Sequence, residues 1–233
     1  DGKWYPPDLS PGAAVDPQIP WAIRPGLTRV VSAVVAGTSV VLAVAAFFGF
    51  RLAPRVRSGE VDISAYDAVP SSAEVAYAAW SMAAILAFVL SGVLVIAWMH
   101  TASKAMDARG PDGRRWKGGW AIWGWIIPVG NLFIPKLMFG EVERIAQEPF
   151  DGESVEGGWR ERTRTGLADV WWGLWVAGLL VSQVGYLISG EGLEEAEVAA
   201  TSIQLGSASF AVFAAAGVVL SLVVRRTEVF SRR

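Results

Sequence analysis

One stretch of this 233-residue chain decides how the rest is arranged, namely residues 118–135, Gly-Gly-Trp-Ala-Ile-Trp-Gly-Trp-Ile-Ile-Pro-Val-Gly-Asn-Leu-Phe-Ile-Pro. The stretch is apolar, but Pro128 removes a helical hydrogen bond and Gly130-Asn131 is a turn sequence. It therefore predicts two short helical pieces joined by a break at 128–131. Because lipid cannot satisfy the polar backbone groups of such a break, we expect Asn131 to bond them.

The residues after the break, 132–147, have the pattern of an amphipathic helix. Apolar side chains recur at helical spacing while charged ones occupy the positions between them. We expect the charged members Glu141 and Glu143 to face solvent. Together, residues of about 119–147 are predicted to form a broken helical hairpin that is re-entrant or lies at the membrane interface.

Four other stretches contain no Asp, Glu, Lys or Arg: 30–50, 75–99, 170–190 and 198–224. Each is long enough to cross ~30 Å of hydrocarbon, which takes about 20 apolar residues. Only 18% of the chain is charged, whereas about a quarter is usual for a soluble domain. We therefore predict an all-α fold: an integral membrane four-helix bundle with the broken hairpin between spans 2 and 3. The bundle occupies residues 27–226, between a Pro-rich tail (1–26) and a short tail (227–233).

The distribution of Lys and Arg decides between four spans and five. If 118–135 does not cross, 17 of the 20 Lys and Arg residues lie on one side of the membrane, and that side is the cytoplasm by the positive-inside rule. If it crosses, only 8 of the 20 do. The four-span arrangement is therefore preferred, and both termini are predicted to be cytoplasmic.

The composition excludes several classes of function. There is no Cys, which removes disulfides and thiolate metal sites, and a single His, His100, excludes a multi-His metal site. The net charge of −2 gives no basic field for nucleic acid. No phosphate loop or nucleophile motif is present, and no span carries the buried charge that pumps use. We predict a protein that is not an enzyme, with no cofactor, no metal and no nucleic-acid partner.

Two groups of residues are candidates for a site. The first group is expected to have a structural or interaction role and comprises Trp120, Trp123, Trp125, Pro128, Asn131, Pro135, Trp171 and Trp172. The second group is polar and is predicted to lie within the spans, where it would line a solute path or join helices: Gln183 and Gln204. His100 at the end of the second span is either a proton-sensitive residue or an interfacial anchor.

The residues 117–136, followed by Glu141 and by Trp171-Trp172, resemble the central motif of a bacterial multi-pass membrane family catalogued as domain of unknown function 4328. The opening Asp1-Gly-Lys-Trp-Tyr-Pro-Pro7 is similar to a short N-terminal motif of actinobacterial membrane proteins. The resemblance implies a location in the bacterial plasma membrane. It implies no activity, because the family has none established.

Two functions remain open at this point. The leading hypothesis is a scaffold or accessory module that interacts with a partner protein or with lipid through its Trp-rich cytoplasmic hairpin, because Trp and Arg are favoured interface anchors. The alternative is a carrier or binding protein for a small apolar or amphipathic molecule, because broken helices at membrane depth mark substrate sites in transporters. The lipid bilayer is a partner in both hypotheses.

Overall fold

A computed structural model describes residues 23–62, 69–108, 113–147, 158–188 and 194–231. Its helices, in chain order, are α1 (Pro25–Arg57), α2 (Ser72–Ala108), α3 (Trp120–Ile126), α4 (Ile134–Ala146), α5 (Leu167–Ile188) and α6 (Glu195–Ser231). Single 3-10 turns lie at Gly130–Leu132 and Gly158–Glu161. The described residues contain no strand, which confirms the predicted all-α class.

Local chemistry explains where the long helices begin. Pro25 occupies the first turn of α1, where its missing N–H costs no hydrogen bond. Ahead of α2, the amide of Ser71 donates to Glu74 Oε2 at 2.7 Å and the amide of Glu74 donates to Ser71 Oγ at 3.4 Å. This reciprocal pair is a capping box. At the other end of the chain, α6 continues through 227–231, the described part of the predicted C-terminal tail.

Within the described part of the chain, four helices are long and apolar enough to cross a membrane: α1, α2, α5 over Leu167–Val184 and α6 over Glu195–Phe230. They overlap the four predicted spans. Large apolar side chains such as Leu86 and Leu180 project outward with more than half of their surface exposed. A soluble protein rarely exposes so large a contiguous apolar surface to water. In a membrane the same surface contacts lipid chains. The chain is therefore a multi-pass membrane protein.

The bundle is built around a central pair of helices. α1 packs along α6, α2 packs on the side of α1, and α5 packs on the side of α6. Small residues set the close approaches: a Cβ added to Gly178 in α5 would come within 2.7 Å of the Phe213 ring in α6. Close backbone approach at small residues is typical of helix packing in membranes. The outer helices α2 and α5 thus flank the α1–α6 pair, one on each side.

The broken segment, which we define as residues 120–146, covers one end of the bundle. We call this the basal end; it carries Thr28 of α1 and Trp98 of α2, whose indole N–H donates to Thr28 Oγ1 at 3.0 Å. The apolar face of α4 places Met138 and Phe139 in the same buried core as Trp98. The amphipathic pattern of α4 is therefore used to seal this end of the bundle.

Candidate functional site

The broken segment contains the interruption that the sequence predicted. α3 ends at Ile126, Ile127 takes an extended conformation (φ −72°, ψ 118°), and α4 begins at Ile134. α3 is only seven residues long, about 10 Å at 1.5 Å per residue, so it cannot span a bilayer. α3 and α4 pack closely, since a Cβ on Gly124 would lie 2.6 Å from Ile134 Cγ2.

The polar groups of the break are satisfied differently from the expectation. The amide of Asn131 donates to the carbonyl of Ile127 at 2.7 Å, and the indole N–H of Trp172 donates to the carbonyl of Leu132 at 2.5 Å. Lys136 Nζ lies 4.3 Å from the Trp172 ring centroid. The expectation that the Asn131 side chain bonds the break is therefore wrong, because the tight turn and a Trp from α5 already do so.

Trp125 fixes the broken segment against α5. Its ring centroid lies 6.3 Å from that of Trp171 and 6.1 Å from that of Trp175. Trp171 also contacts Phe139 of α4 edge-on at 5.0 Å. Each such aromatic pair contributes about 0.5–1.5 kcal/mol beyond burial. Trp125 and Trp171 are thus parts of the packed interior.

A buried arginine fixes the other side of the broken segment. The Arg114 side chain is 3% exposed; its Nε donates to Glu141 Oε1 at 2.9 Å and its Nη1 to Asp107 Oδ1 at 2.6 Å. The same guanidinium donates to the carbonyls of Ser103 and Trp116 at 2.7 Å each. We call this set the Arg114 clamp; it ties α4 to the basal end of α2.

The two acidic residues of α4 are buried. Glu141 is held by the Arg114 clamp, and Glu143, at 3% exposure, accepts a hydrogen bond from the amide of Thr165 at 3.2 Å. The expectation that both face solvent is wrong. The pattern of α4 showed that its acidic residues lie off the main apolar face, but the loops that cover them come from distant parts of the sequence.

Two cavities lie between α2 and α5 over the central pair. The basal cavity, of about 270 Å³, has Trp125, Asn131 and Trp171 among its lining residues. The upper cavity, of about 580 Å³, is lined in part by Ser182 and Ser202. The two cavities adjoin, because Leu42, Phe88, Val89 and Phe213 line both, and together we call them the cleft. None of the described residues that line either cavity is charged.

Polar groups at the bottom of this cleft come from three elements. Thr38 of α1 and Ser91 of α2 bond each other through their hydroxyls at 2.6 Å, and Thr38 also donates to the carbonyl of Ala87 at 3.3 Å. Asn131 Oδ1 is buried and has no hydrogen-bond partner within the part of the chain that the structure describes. A buried unpaired amide oxygen costs about 1–3 kcal/mol.

The predicted intramembrane polar pair does not line the cleft. Gln183 is exposed on α5, and Gln204 accepts a hydrogen bond from Arg57 Nη2 at 3.3 Å near the opposite end of the bundle. Ser182, Ser202 and Ser209 are the polar side chains among the described residues that line the upper cavity. His100 Nδ1 donates to the carbonyl of Gly118 at 2.9 Å and so links α2 to the approach to α3.

The remaining aromatic candidates lie on the outer surface of the broken segment. Trp120 is 39% exposed and Trp123 is 60% exposed. Up to residue 133 the segment exposes further large apolar side chains, which are Ile122, Ile126, Ile127, Val129 and Phe133. Pro128 marks the break, and Pro135 is buried in the first turn of α4. We call the exposed set, from Trp120 to Phe133, the outer apolar patch.

Comparison with known proteins adds one match. A family model described as Domain of unknown function (DUF4328) matches residues 60–229 of the chain. The match includes α2, the broken segment, α5 and nearly all of α6. No curated protein and no solved structure matches the chain.

Proposed function

We propose that this chain, which belongs to the family described as Domain of unknown function (DUF4328), is a membrane-embedded binding or carrier protein for a small amphipathic molecule. The observation that carries the proposal is the cleft between α2 and α5, which holds cavities of about 270 and 580 Å³ over one side of the bundle. Ligand sites commonly have volumes of about 300–1,000 Å³ with mostly apolar walls and few polar groups. The proposed role is binding and does not include catalysis.

The re-entrant position of the broken segment is part of this proposal. Asn131 shares a cavity with Ser91, which lies nine residues before His100, or roughly 13 Å along α2 at 1.5 Å per residue. The break would thus reach well below the headgroups while both flanks return to one side. The outer apolar patch would then meet acyl chains, and the packed polar groups of the break would be shielded from lipid.

We further propose that the membrane is the bacterial plasma membrane and that both termini are cytoplasmic. The clustering of Lys and Arg at the basal end supports this orientation. The cleft would then open sideways into the bilayer, with its closed bottom toward the cytoplasm, so that a molecule dissolved in lipid enters without crossing water.

The test uses the purified full-length protein in lipid nanodiscs and a photoactivatable long-chain primary alcohol as the probe. Gly92 lines the basal cavity, and a Cβ added there meets nothing within 4 Å. Gly92→Leu should therefore fill the cavity without disturbing the helices and abolish crosslinking to the cleft. The matched control is Gly37→Leu on the exposed face of α1, where an added Cβ also meets nothing, and crosslinking should persist. Absence of cleft crosslinks in the unmodified protein, or equal crosslinking of both variants, would refute the proposal.

The outer apolar patch supports a second candidate function, the scaffold or accessory role. Exposed Trp120 and Trp123 are the members of the Trp-rich segment that remain available for contact. Since their neighbours Ile126 and Val129 are apolar, we propose that they contact lipid of the cytoplasmic leaflet. A spin label at Trp123→Cys should collide with oxygen more often than with a water-soluble nickel complex. The reverse ratio would place this surface in water and favour docking of a protein partner.

A further inference from the structure

We infer that the molecule bound in the cleft is a neutral amphiphile, with one hydroxyl that pairs with the Asn131 side chain and a long apolar chain that runs toward the upper cavity. This inference rests on the proposed binding function and specifies its ligand class. It follows from three properties of the described residues: the absence of charge in the lining, the unpaired side-chain amide of Asn131 and the shape of the cleft.

The lining excludes an anionic headgroup at the bottom of the cleft. Among the described residues that line the two cavities there is no Lys, Arg, Asp, Glu or His. An ionised carboxylate or phosphate held there would lack a counter-charge, and burying an unpaired charge costs several kcal/mol. The Arg114 clamp cannot serve, because the donors of its guanidinium are already used by Glu141, Asp107 and main-chain carbonyls.

The side chain of Asn131 defines the polar contact. Its Oδ1 is buried without a partner, although Asn131 lines the basal cavity. The nearby hydroxyls of Thr38 and Ser91 already bond each other, whereas the Asn131 side chain can still pair with a ligand. A hydroxyl both donates and accepts, and it can therefore satisfy either end of an amide, whichever faces the cavity. A pure hydrocarbon would leave the amide unpaired.

The shape of the cleft defines the apolar part. The basal cavity is walled by Trp125, Trp171 and Trp175 and adjoins the upper cavity at Phe88 and Phe213. Apolar side chains provide most of this surface, which suits an acyl or isoprenoid chain. The ligand would thus lie along the cleft with its polar end against the broken segment.

The experiment is a competition in nanodiscs against the photoactivatable alcohol, with three unlabelled competitors of equal chain length: a primary alcohol, an alkane and a carboxylate. In the unmodified protein the alcohol should compete about five- to tenfold more strongly than the alkane, as expected for one hydrogen bond. The carboxylate should be the weakest competitor near neutral pH. Asn131→Leu keeps a similar side-chain volume and removes the amide. In this variant the alcohol and the alkane should therefore compete about equally.

The outcomes separate this inference from the proposed function. If the cleft is crosslinked and Gly92→Leu abolishes the crosslinks, but alcohol and alkane compete equally, the binding function stands and the hydroxyl inference is wrong. Stronger competition by the carboxylate also overturns the inference. If the unmodified protein shows no cleft crosslinks, both fail together. The competitor ratio in the unmodified protein tests the inference even when Asn131→Leu does not fold.

Discussion

Replacing Arg114 by Met should strongly destabilise the protein, because it leaves Glu141 buried without its counter-charge. The two side chains are only 3% and 7% exposed, and the Nε–Oε1 distance is 2.9 Å. Removal of one partner of a buried ion pair costs about 3–5 kcal/mol. A chain of this size loses about 2–4 °C of Tm per kcal/mol, which corresponds to a decrease in Tm of about 10 °C.

The assay is thermal unfolding of the full-length protein in mild detergent, followed by Trp fluorescence. Arg55→Met is the matched control, because Arg55 forms an exposed pair with Glu60 in which the side chains are 40% and 59% exposed. Exposed pairs contribute about 0–1 kcal/mol, so its Tm should change by no more than a few degrees.

A double-mutant cycle sharpens the prediction. Combining Arg114→Met with Glu141→Leu removes both charges, and the double variant should be more stable than the sum of the two single effects indicates. Strict additivity, or equal Tm values for Arg114→Met and Arg55→Met, would show that the Arg114 clamp does not hold α4 in place.

Three further predictions concern the broken segment and the orientation of the chain. Gly124→Val should lower Tm, because even its Cβ overlaps Ile134 Cγ2; Gly119→Val, at a position where an added Cβ meets nothing within 4 Å, is the control and should cost no more than about 1 kcal/mol. Trp172→Phe removes the donor to the Leu132 carbonyl and should cost about 1–3 kcal/mol in the same assay; an unchanged Tm would contradict the role given to that indole. Single cysteines can be introduced and reacted with a membrane-impermeant maleimide in intact cells. A cysteine in place of Lys117 or Gly152 should be protected, and one in place of Leu193 should be labelled. Labelling at Gly152 but not at Lys117 would mean that 118–135 crosses the membrane.

Much of the architecture follows from local sequence, because helix formation and membrane insertion depend on neighbouring residues. The four charge-free stretches specify the crossing helices, since ~30 Å of hydrocarbon requires that length of apolar residues. The interruption at 128–131 follows from Pro128, whose ring forbids a helical hydrogen bond in any context. The capping box at Ser71 and Glu74 is likewise local, since both residues lie within one turn.

The chemistry of the site follows from contacts between distant segments. Whether Glu141 is exposed depends on Arg114, which is 27 positions away, and whether the break needs Asn131 depends on Trp172, which is 40 positions from Leu132. Neither of these two hydrogen bonds can be recognised from a periodic pattern of residues in the sequence. The hydrogen bond of Gln204 is of the same kind, because its donor is Arg57 of the neighbouring helix α1.

The order of residues alone establishes that the chain is helical, that four segments are apolar enough to cross a membrane, and that the fifth apolar run is broken. Hydropathy, proline stereochemistry and turn preference act over a few residues, and the order of residues specifies them. The cleft between α2 and α5, and the place of Asn131 in its lining, follow only from the way the helices pack. That outcome depends on which helices pack together, and so on complementary surfaces contributed by remote parts of the chain.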